Sequence, residues 1–351
     1  MDREIQKGGF MALKRVTMQE IADACGLSRN TVSKVFNERG SVPAATRNLV
    51  LAKANELGYY QRSLTDEPAS ENVGTIAVLT QHKLLSHNFG AFFITAFTNS
   101  ISRNGYTMKM YELSKEEIAT KKFPARFDPE QTTGILGIEL FDREYIDMIC
   151  SLNVPTVFVD GYPGIGETLI NCDIISMENI VSETTLVERM IAAGGKSFGF
   201  VGDIEHCNSF YERWIGFCRA LEKAGLPVDK DLCILEKDGL QYEDTKWLLE
   251  QLSAMPKMPD GFACANDYLA IHLMSALKEK GSSIPKDIMI AGFDSSLEAA
   301  VIEPSLSTAE IPATDIGKLA ASILQKRIQE PSFPFNWTYV KTRPIWGNST
   351  R

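Results

Sequence analysis

The chain has 351 residues, of which 44% are apolar and 23% charged, and a formal net charge of −9. That length calls for two or three domains and that composition for a soluble globular fold. No apolar run approaches the ~20 residues of a membrane span, the first ten residues lack the apolar core of a signal peptide, and seven cysteines without a CxxC pair, with four scattered histidines, exclude a disulfide or zinc framework and suit a reducing cytoplasm.

The charge is uneven. Residues 1–62 hold ten Lys/Arg against six Asp/Glu, a net of +4, and the remainder nets −13, so an anionic partner is expected for the head alone. After a leader over 1–14, "TMQEIADACG" predicts a helix opened by a capping box, with Thr17 accepting from early backbone amides and Glu20 reaching back. Ile21 and Ala22 face inward, and Gly26 ends the helix through a left-handed turn. Leu27 fills the turn and Ser28 caps a second helix. There Val32 and Val35 share the inner face, while Arg29, Asn30, Ser33, Lys34 and Asn37 point outward. "VPAATRNLVLAKANELGY" predicts a third helix that starts after Pro43, buries Val50, Ala54 and Leu57, and stops at Gly58. Three helices with a four-residue turn between the first two make residues 15–59 a helix-turn-helix domain.

The second helix carries Arg, Asn and Lys and no acid. Asn can donate and accept toward an adenine edge, and Arg or Lys can donate to guanine. Thr17, Ser28, Thr31 and Thr46 lie at helix starts, where hydroxyls and free amides hold phosphates. From Val16 to Tyr59 the chain resembles, without a gap, the DNA-binding head of the lactose/galactose-repressor family. The resemblance implies Arg29, Asn30 and Lys34 at base-reading positions, and Thr17, Ser28, Thr31, Ser33, Asn37 and Thr46 at supporting and phosphate-contacting ones. The implied partner is double-stranded operator DNA.

Residues 60–72, "YQRSLTDEPASEN", form a polar linker. In the family this stretch carries a short helix whose leucine wedges into the minor groove. Here Pro68 stands where that leucine belongs, and Asp66 and Glu67 would face phosphate, so the sequence departs from the pattern.

From residue 73 to 351 short apolar runs alternate with amphipathic helices. The strands expected are "GTIAVLT", "YTMKMYE", "GILGIEL", "PTVFVD", "FGFVGD", "GFACAND" and "IMIAGFD", with helices over Phe92–Arg103, Tyr145–Leu152, Ile180–Ala193, Phe210–Ala224 and Tyr268–Lys280. Such alternation implies an α/β body of parallel sheets covered by helices. Two Rossmann-like subdomains suit the length: 73–172 with 306–336, and 173–305 with 337–351. Several strands end in Asp, and ligands of parallel sheets bind beyond those ends.

The body also resembles the repressor family and, through it, the periplasmic sugar-binding proteins, in stretches such as "YERWIGFCRALEKAGL" and "IMIAGFDSSLEAAVIEPSLST". By that resemblance Asp160, Arg213, Asn266 and Asp294, with Phe89 and Phe93 nearby, would contact a small-molecule effector. Carboxylates, an amide and a forked guanidinium suit a polyol such as a sugar or related metabolite. Asp267 reads as a helix cap rather than a contact.

Enzyme signatures are weak. Gly195–Gly199 matches the pattern G-x-S-x-G, but a nucleophile elbow needs its strand before the motif, and here "FGFVG" follows it. "GYPGIG" lacks the helix of a dinucleotide loop. The expectation is a cytoplasmic, homodimeric, effector-controlled repressor that needs no metal or cofactor. A secreted sugar-binding protein and a DNA-binding protein with a ligand-blind cleft are the alternatives.

Overall fold

The computed structural model describes residues 16–36, 42–57, 73–81, 88–168 and 170–351. The leader, Asn37 and the linker with Pro68 lie outside the described residues. The chain divides into two units, Met1–Asp66 and Glu67–Arg351.

In the first unit three helices, α1 (Met18–Cys25), α2 (Arg29–Phe36) and α3 (Ala44–Glu56), enclose one small core. Ile21 and Ala22 of α1, Val32 and Val35 of α2, and Val50 and Ala54 of α3 are buried together. The expected capping box is present: Thr17 N donates to Glu20 Oε2 at 2.7 Å and Glu20 N to Thr17 Oγ1 at 3.3 Å. Gly26 sits at φ 65°, a left-handed position that costs glycine nothing, and its N–H closes the last turn of α1. Thr31 N donates to Ser28 Oγ at 3.1 Å, which fixes the start of α2.

The second unit begins with β1 (Gly74–Thr80), α4 (Asn88–Ser102), β2 (Tyr106–Glu112), α5 (Lys115–Ala119), β3 (Gly134–Ile138), α6 (Arg143–Cys150), β4 (Thr156–Val159) and β5 (Asp173–Met177). It continues with α7 (Ile180–Ala192), β6 (Phe198–Val201), α8 (Asn208–Lys223), α9 (Thr245–Ala254), β7 (Gly261–Cys264), α10 (Asp267–Glu279), β8 (Met289–Ala291), α11 (Leu297–Val301) and β9 (Thr308–Glu310). It ends with α12 (Ala313–Gln329), β10 (Trp337–Val340) and β11 (Arg343–Ile345).

These elements make two lobes. In the first, six parallel strands run in the order β10-β5-β4-β3-β1-β2. Alternate residues of β1 serve opposite faces, as the two-residue strand period requires. Ile76 and Val78 join a core with Phe93 and Phe97 of α4 and Ile316, Ala320 and Leu324 of α12, whereas Ala77 and Leu79 join one with Ile118 of α5 and Tyr145 and Ile149 of α6. In the second lobe β6, β7 and β8 are parallel, and bridges Ala291↔Ser307 and Asp294↔Glu310 attach the antiparallel pair β9/β11. Its core centres on Phe200, Phe217 and Phe262, each 0% exposed; full burial of one such ring contributes about 2–3 kcal/mol.

All seven expected strands are present, but the lobe boundaries differ from the sequence reading. Strands β5 and β10 pair inside the first sheet, so the chain leaves that lobe after Met177 and Val340, not at 172 and 336. Ser307–Glu310 belongs with the second sheet, so the middle crossing falls near Ile311 rather than at 306. Arg327 of α12 helps to hold β5 and β10 in the first sheet. Its guanidinium forks onto Asp173 at 2.8 and 3.1 Å and donates to the carbonyls of Pro331, Phe333 and Pro334. This buried, fully hydrogen-bonded pair ties β5 to the segment entering β10. Two crossings lie side by side: Glu178 N donates to Val340 O at 2.8 Å, and Thr342 Oγ1 to Glu178 O at 2.5 Å. Ile311, in the third, touches both cores.

Candidate functional site

The first candidate surface is α2. Ser28, Arg29, Asn30 and Lys34 are exposed, Thr31 and Ser33 half-buried, and the helix contains no acid. Burial of Val32 and Val35 sets this orientation, because residues three apart share a helix face and turn the intervening polar groups outward. Thr46 is half-buried in the first turn of α3. Thr17 has its hydroxyl engaged by Glu20 at 3.0 Å, so toward a phosphate it offers support of the helix start more than a free donor.

The second candidate lies where the strand ends of both lobes converge. Asp160 follows β4 at φ 63°, and Asp294 follows β8 at φ 111°. Positive φ in a non-glycine residue is strained, and strain of this kind concentrates at functional sites. Arg213 enters from α8, 2% exposed. Its Nη1 pairs with Asp294 Oδ1 at 3.1 Å and donates to Ala265 O at 2.5 Å; its Nε donates to Asn179 Oδ1 at 3.0 Å; the guanidinium lies 3.8 Å from the Phe293 ring centre. Arg213 is thus paired with Asp294, and its charge also reaches Asp160.

Asn266 caps α10, with Oδ1 accepting from Leu269 N at 2.9 Å, which leaves amide donation as the chemistry it can offer a ligand. Asp267 is not the cap. It is buried between Thr308 Oγ1 at 2.6 Å and Ser296 N at 2.7 Å, and burial first, then Asp294, pushes its carboxyl up to about 8. Phe93 is fully buried in the first lobe's core, stacked 5.9 Å from half-buried Phe89. Phe93 thus offers a ligand no exposed surface of its own, whereas its half-buried neighbour Phe89 does.

Several participants escaped the sequence reading. Glu139, just past β3, also has a positive φ of 50°. Burial, then Asp294, then Asp160, raise its carboxyl to about 7. Asn179 orients Arg213 and donates to Glu212 Oε2 at 2.8 Å, while Tyr339 donates to Glu212 Oε1 at 2.5 Å. Across the lobes, Asn208 N donates to Gly161 O at 2.8 Å, and the rings of Phe141 and His206 meet edge to face at 5.0 Å. Burial also raises the Asp160 carboxyl, against hydrogen bonds from Ser209 and Gly161 and the charge of Arg213.

Ser197 of the G-x-S-x-G pattern donates to Asp260 Oδ2 at 3.1 Å in the turn that enters β6, so the strand follows the motif, as read from the sequence.

Residues 17–61 match the family of bacterial regulatory proteins, lacI family, and residues 187–350 match the periplasmic binding protein-like domain. The chain belongs to the lacI family. Among its relatives is the HTH-type transcriptional repressor PurR of Pasteurella multocida, 26% identical over 322 residues that cover 90% of this chain and 93% of the relative. The fold of this lacI-family chain is shared by the transcriptional regulator CelR in complex with cellobiose (TM-score 0.70, 22% identity, 95% of this chain and 100% of that one). It is shared as well by the lac repressor dimer bound to operator and the anti-inducer ONPF (TM-score 0.64, 21% identity, 96% and 99%). No helix among the described residues is long and apolar enough to cross a membrane.

Proposed function

We propose that this lacI-family chain is a sequence-specific transcriptional repressor, active in the cytoplasm as a homodimer on operator DNA. In this reading its operator affinity is set by a small polar effector held between the lobes of its body. The observation that carries the reading is the pairing, in one chain, of an acid-free exposed helix α2 with the Asp160–Arg213–Asp294 convergence at the strand ends. Arg29, Asn30 and Lys34 are assigned to base edges, and Thr17, Ser28, Thr31, Ser33, Asn37 and Thr46 to support and phosphate. Asp160, Arg213, Asn266, Asp294 and Phe89 are assigned to the effector, with Phe93 bracing Phe89.

The regulator PurR and the CelR–cellobiose complex support the two halves of this proposal, DNA control and a small ligand. The relatives are regulators and not enzymes, and the cleft reading here assigns no reaction. Effector binding would alter the placement of the lobes about the three crossings near Met177, Ile311 and Val340. One helix-turn-helix makes too few contacts alone, so a dimer reading two half-sites about one helical turn, ~34 Å, apart is expected.

The test is a fluorescence-anisotropy titration of the full chain against promoter fragments, repeated with sugars, sugar phosphates, amino sugars and nucleobases. A fragment bound about 10³-fold more tightly than random DNA, with affinity shifted by one class of metabolite, supports the proposal. Equal binding to all DNA would refute the repressor half, and indifference to every metabolite would refute the sensor half.

A further inference from the structure

We infer that the effector of this cleft carries a positive charge, an ammonium group on a hydroxylated small molecule, and that Glu139 is the residue that selects it. The inference rests on the effector-binding reading above and sharpens it. Three carboxylates, Glu139, Asp160 and Asp294, stand at the carboxyl ends of strands β3, β4 and β8, each with φ between 50° and 111°. One guanidinium, Arg213, acts on two of them, pairing with Asp294 and reaching Asp160 by its charge, and its Nη1 and Nε are engaged by Asp294, Ala265 and Asn179. Asp160 is 7% exposed, and its Oδ1 has no hydrogen-bond partner.

A buried carboxylate oxygen without a donor is costly unless a ligand supplies one. A neutral polyol could supply hydroxyl donors, but it would leave the charge surplus in place. Burial first, then Asp294 and then Asp160, raise the cost of ionising Glu139. A ligand cation removes that cost while making charge-assisted hydrogen bonds, which are roughly twice as strong as neutral ones. An anionic ligand, such as a sugar phosphate or a sugar acid, would meet the same carboxylates as like charges. Among the described residues no group of three or more acidic, His or Cys side chains is placed to hold a metal ion, so the cation expected is molecular. The surrounding polar groups fit the remainder of such a ligand: Asn266 offers an amide, and half-buried Phe89 an apolar edge.

The test uses the full chain and matched compounds in calorimetric titration and thermal shift. Glucosamine and galactosamine are compared with their N-acetyl forms, with glucose and galactose, and with glucuronate and glucose 6-phosphate. The expected result is that an amine binds at least about tenfold more tightly than its N-acetyl and parent sugars, tenfold being the usual scale for one good polar interaction. In Glu139→Gln the ratio between amine and parent sugar should fall below about threefold. That ratio is taken within the variant and so does not depend on its overall stability. Equal or tighter binding of the parent sugar or of an anionic compound overturns the inference and leaves the sensor reading standing. If no compound in the set binds, the inference fails. The sensor reading then fails with it only if the wider metabolite screen of the preceding section is also without effect on operator affinity.

Discussion

Among single residues, Lys34 carries the plainest consequence. It is exposed on the acid-free face of α2, so Lys34→Ala should weaken specific operator binding by about 1–3 kcal/mol while leaving random DNA nearly unchanged. Equal losses on both DNAs in anisotropy titrations would make Lys34 a phosphate contact only. Glu183 of α7 makes a prediction about pH. It is 1% exposed, neither carboxylate oxygen has a hydrogen-bond partner, and burial raises it to about 8 against the opposing charge of Arg213. Its folded value lies above the ordinary one, so between about pH 4.5 and 8 the folded state holds a proton that the unfolded state has lost. Stability from this group is complete at the acid end, falls as pH rises through the window, and levels off above it. Asp267 and Glu139 titrate with the same sign. Melting temperature should therefore be higher at pH 5.5 than at pH 8.5, and Glu183→Gln should make that fall shallower; an unchanged slope would count against it. Site legibility was uneven for a physical reason. Asp160 and Asp294 showed in the sequence as acids closing apolar runs. Glu139 sits between Ile138 and Leu140 and reads as one more alternating strand residue, although the strand stops at Ile138.

The regular elements were legible wherever an apolar pattern ran long enough, as in "GTIAVLT" and "YTMKMYE", whose strands match the sequence reading residue for residue. Strand β5, "DIISM", was not, because it opens on an acid and has Ser176 next to its end. The fork from Arg327, 154 positions away, together with the N–H of Asn336, makes Asp173 acceptable inside a sheet, and pairings at such separations leave no local periodicity. Strand β10 was missed for the related reason that neither of its faces is fully buried: Trp337 and Tyr339 are 37% and 44% exposed, and Thr338 and Val340 are half-buried. Helix contact yields a further prediction. Gly216 of α8 faces α7, where an added Cβ would lie 2.7 Å from Ile180 O and 2.8 Å from Glu183 Cβ. Alanine favours a helix over glycine by about 1 kcal/mol, but forcing two packed helices apart costs about 1–3 kcal/mol. Gly216→Ala should then lower the melting temperature by a few degrees. Arg213 lies one turn away on α8, so the same variant should weaken effector binding as well. A higher melting temperature would mean that α7 and α8 separate freely.

For the whole molecule, the charge division and the two units lead to a linkage argument. The head's net +4 against −13 elsewhere confines the attraction for DNA to the head. Operator affinity should fall steeply with salt, with a logarithmic slope near 0.9 per phosphate neutralised. An effector that changes operator affinity must discriminate between two states of the same molecule. Coupling of about 1–3 kcal/mol, typical of such switches, corresponds to roughly 5–150-fold. Thermodynamics then fixes a second measurement. The operator must change effector affinity by the same factor and in the same direction, whether the effector releases or promotes DNA binding. Anisotropy titration of operator with and without saturating effector gives one factor, and calorimetric titration of effector with and without saturating operator gives the other. At a single salt concentration the two should agree. Arg213→Lys keeps the charge but cannot keep both the Nη1 contacts to Asp294 and Ala265 and the Nε bond to Asn179, and should shrink both factors together. Factors that differ would show that the protein which binds effector and the protein which binds operator do not share one two-state equilibrium, and the reading of α2 and the cleft as two ends of one switch would fall.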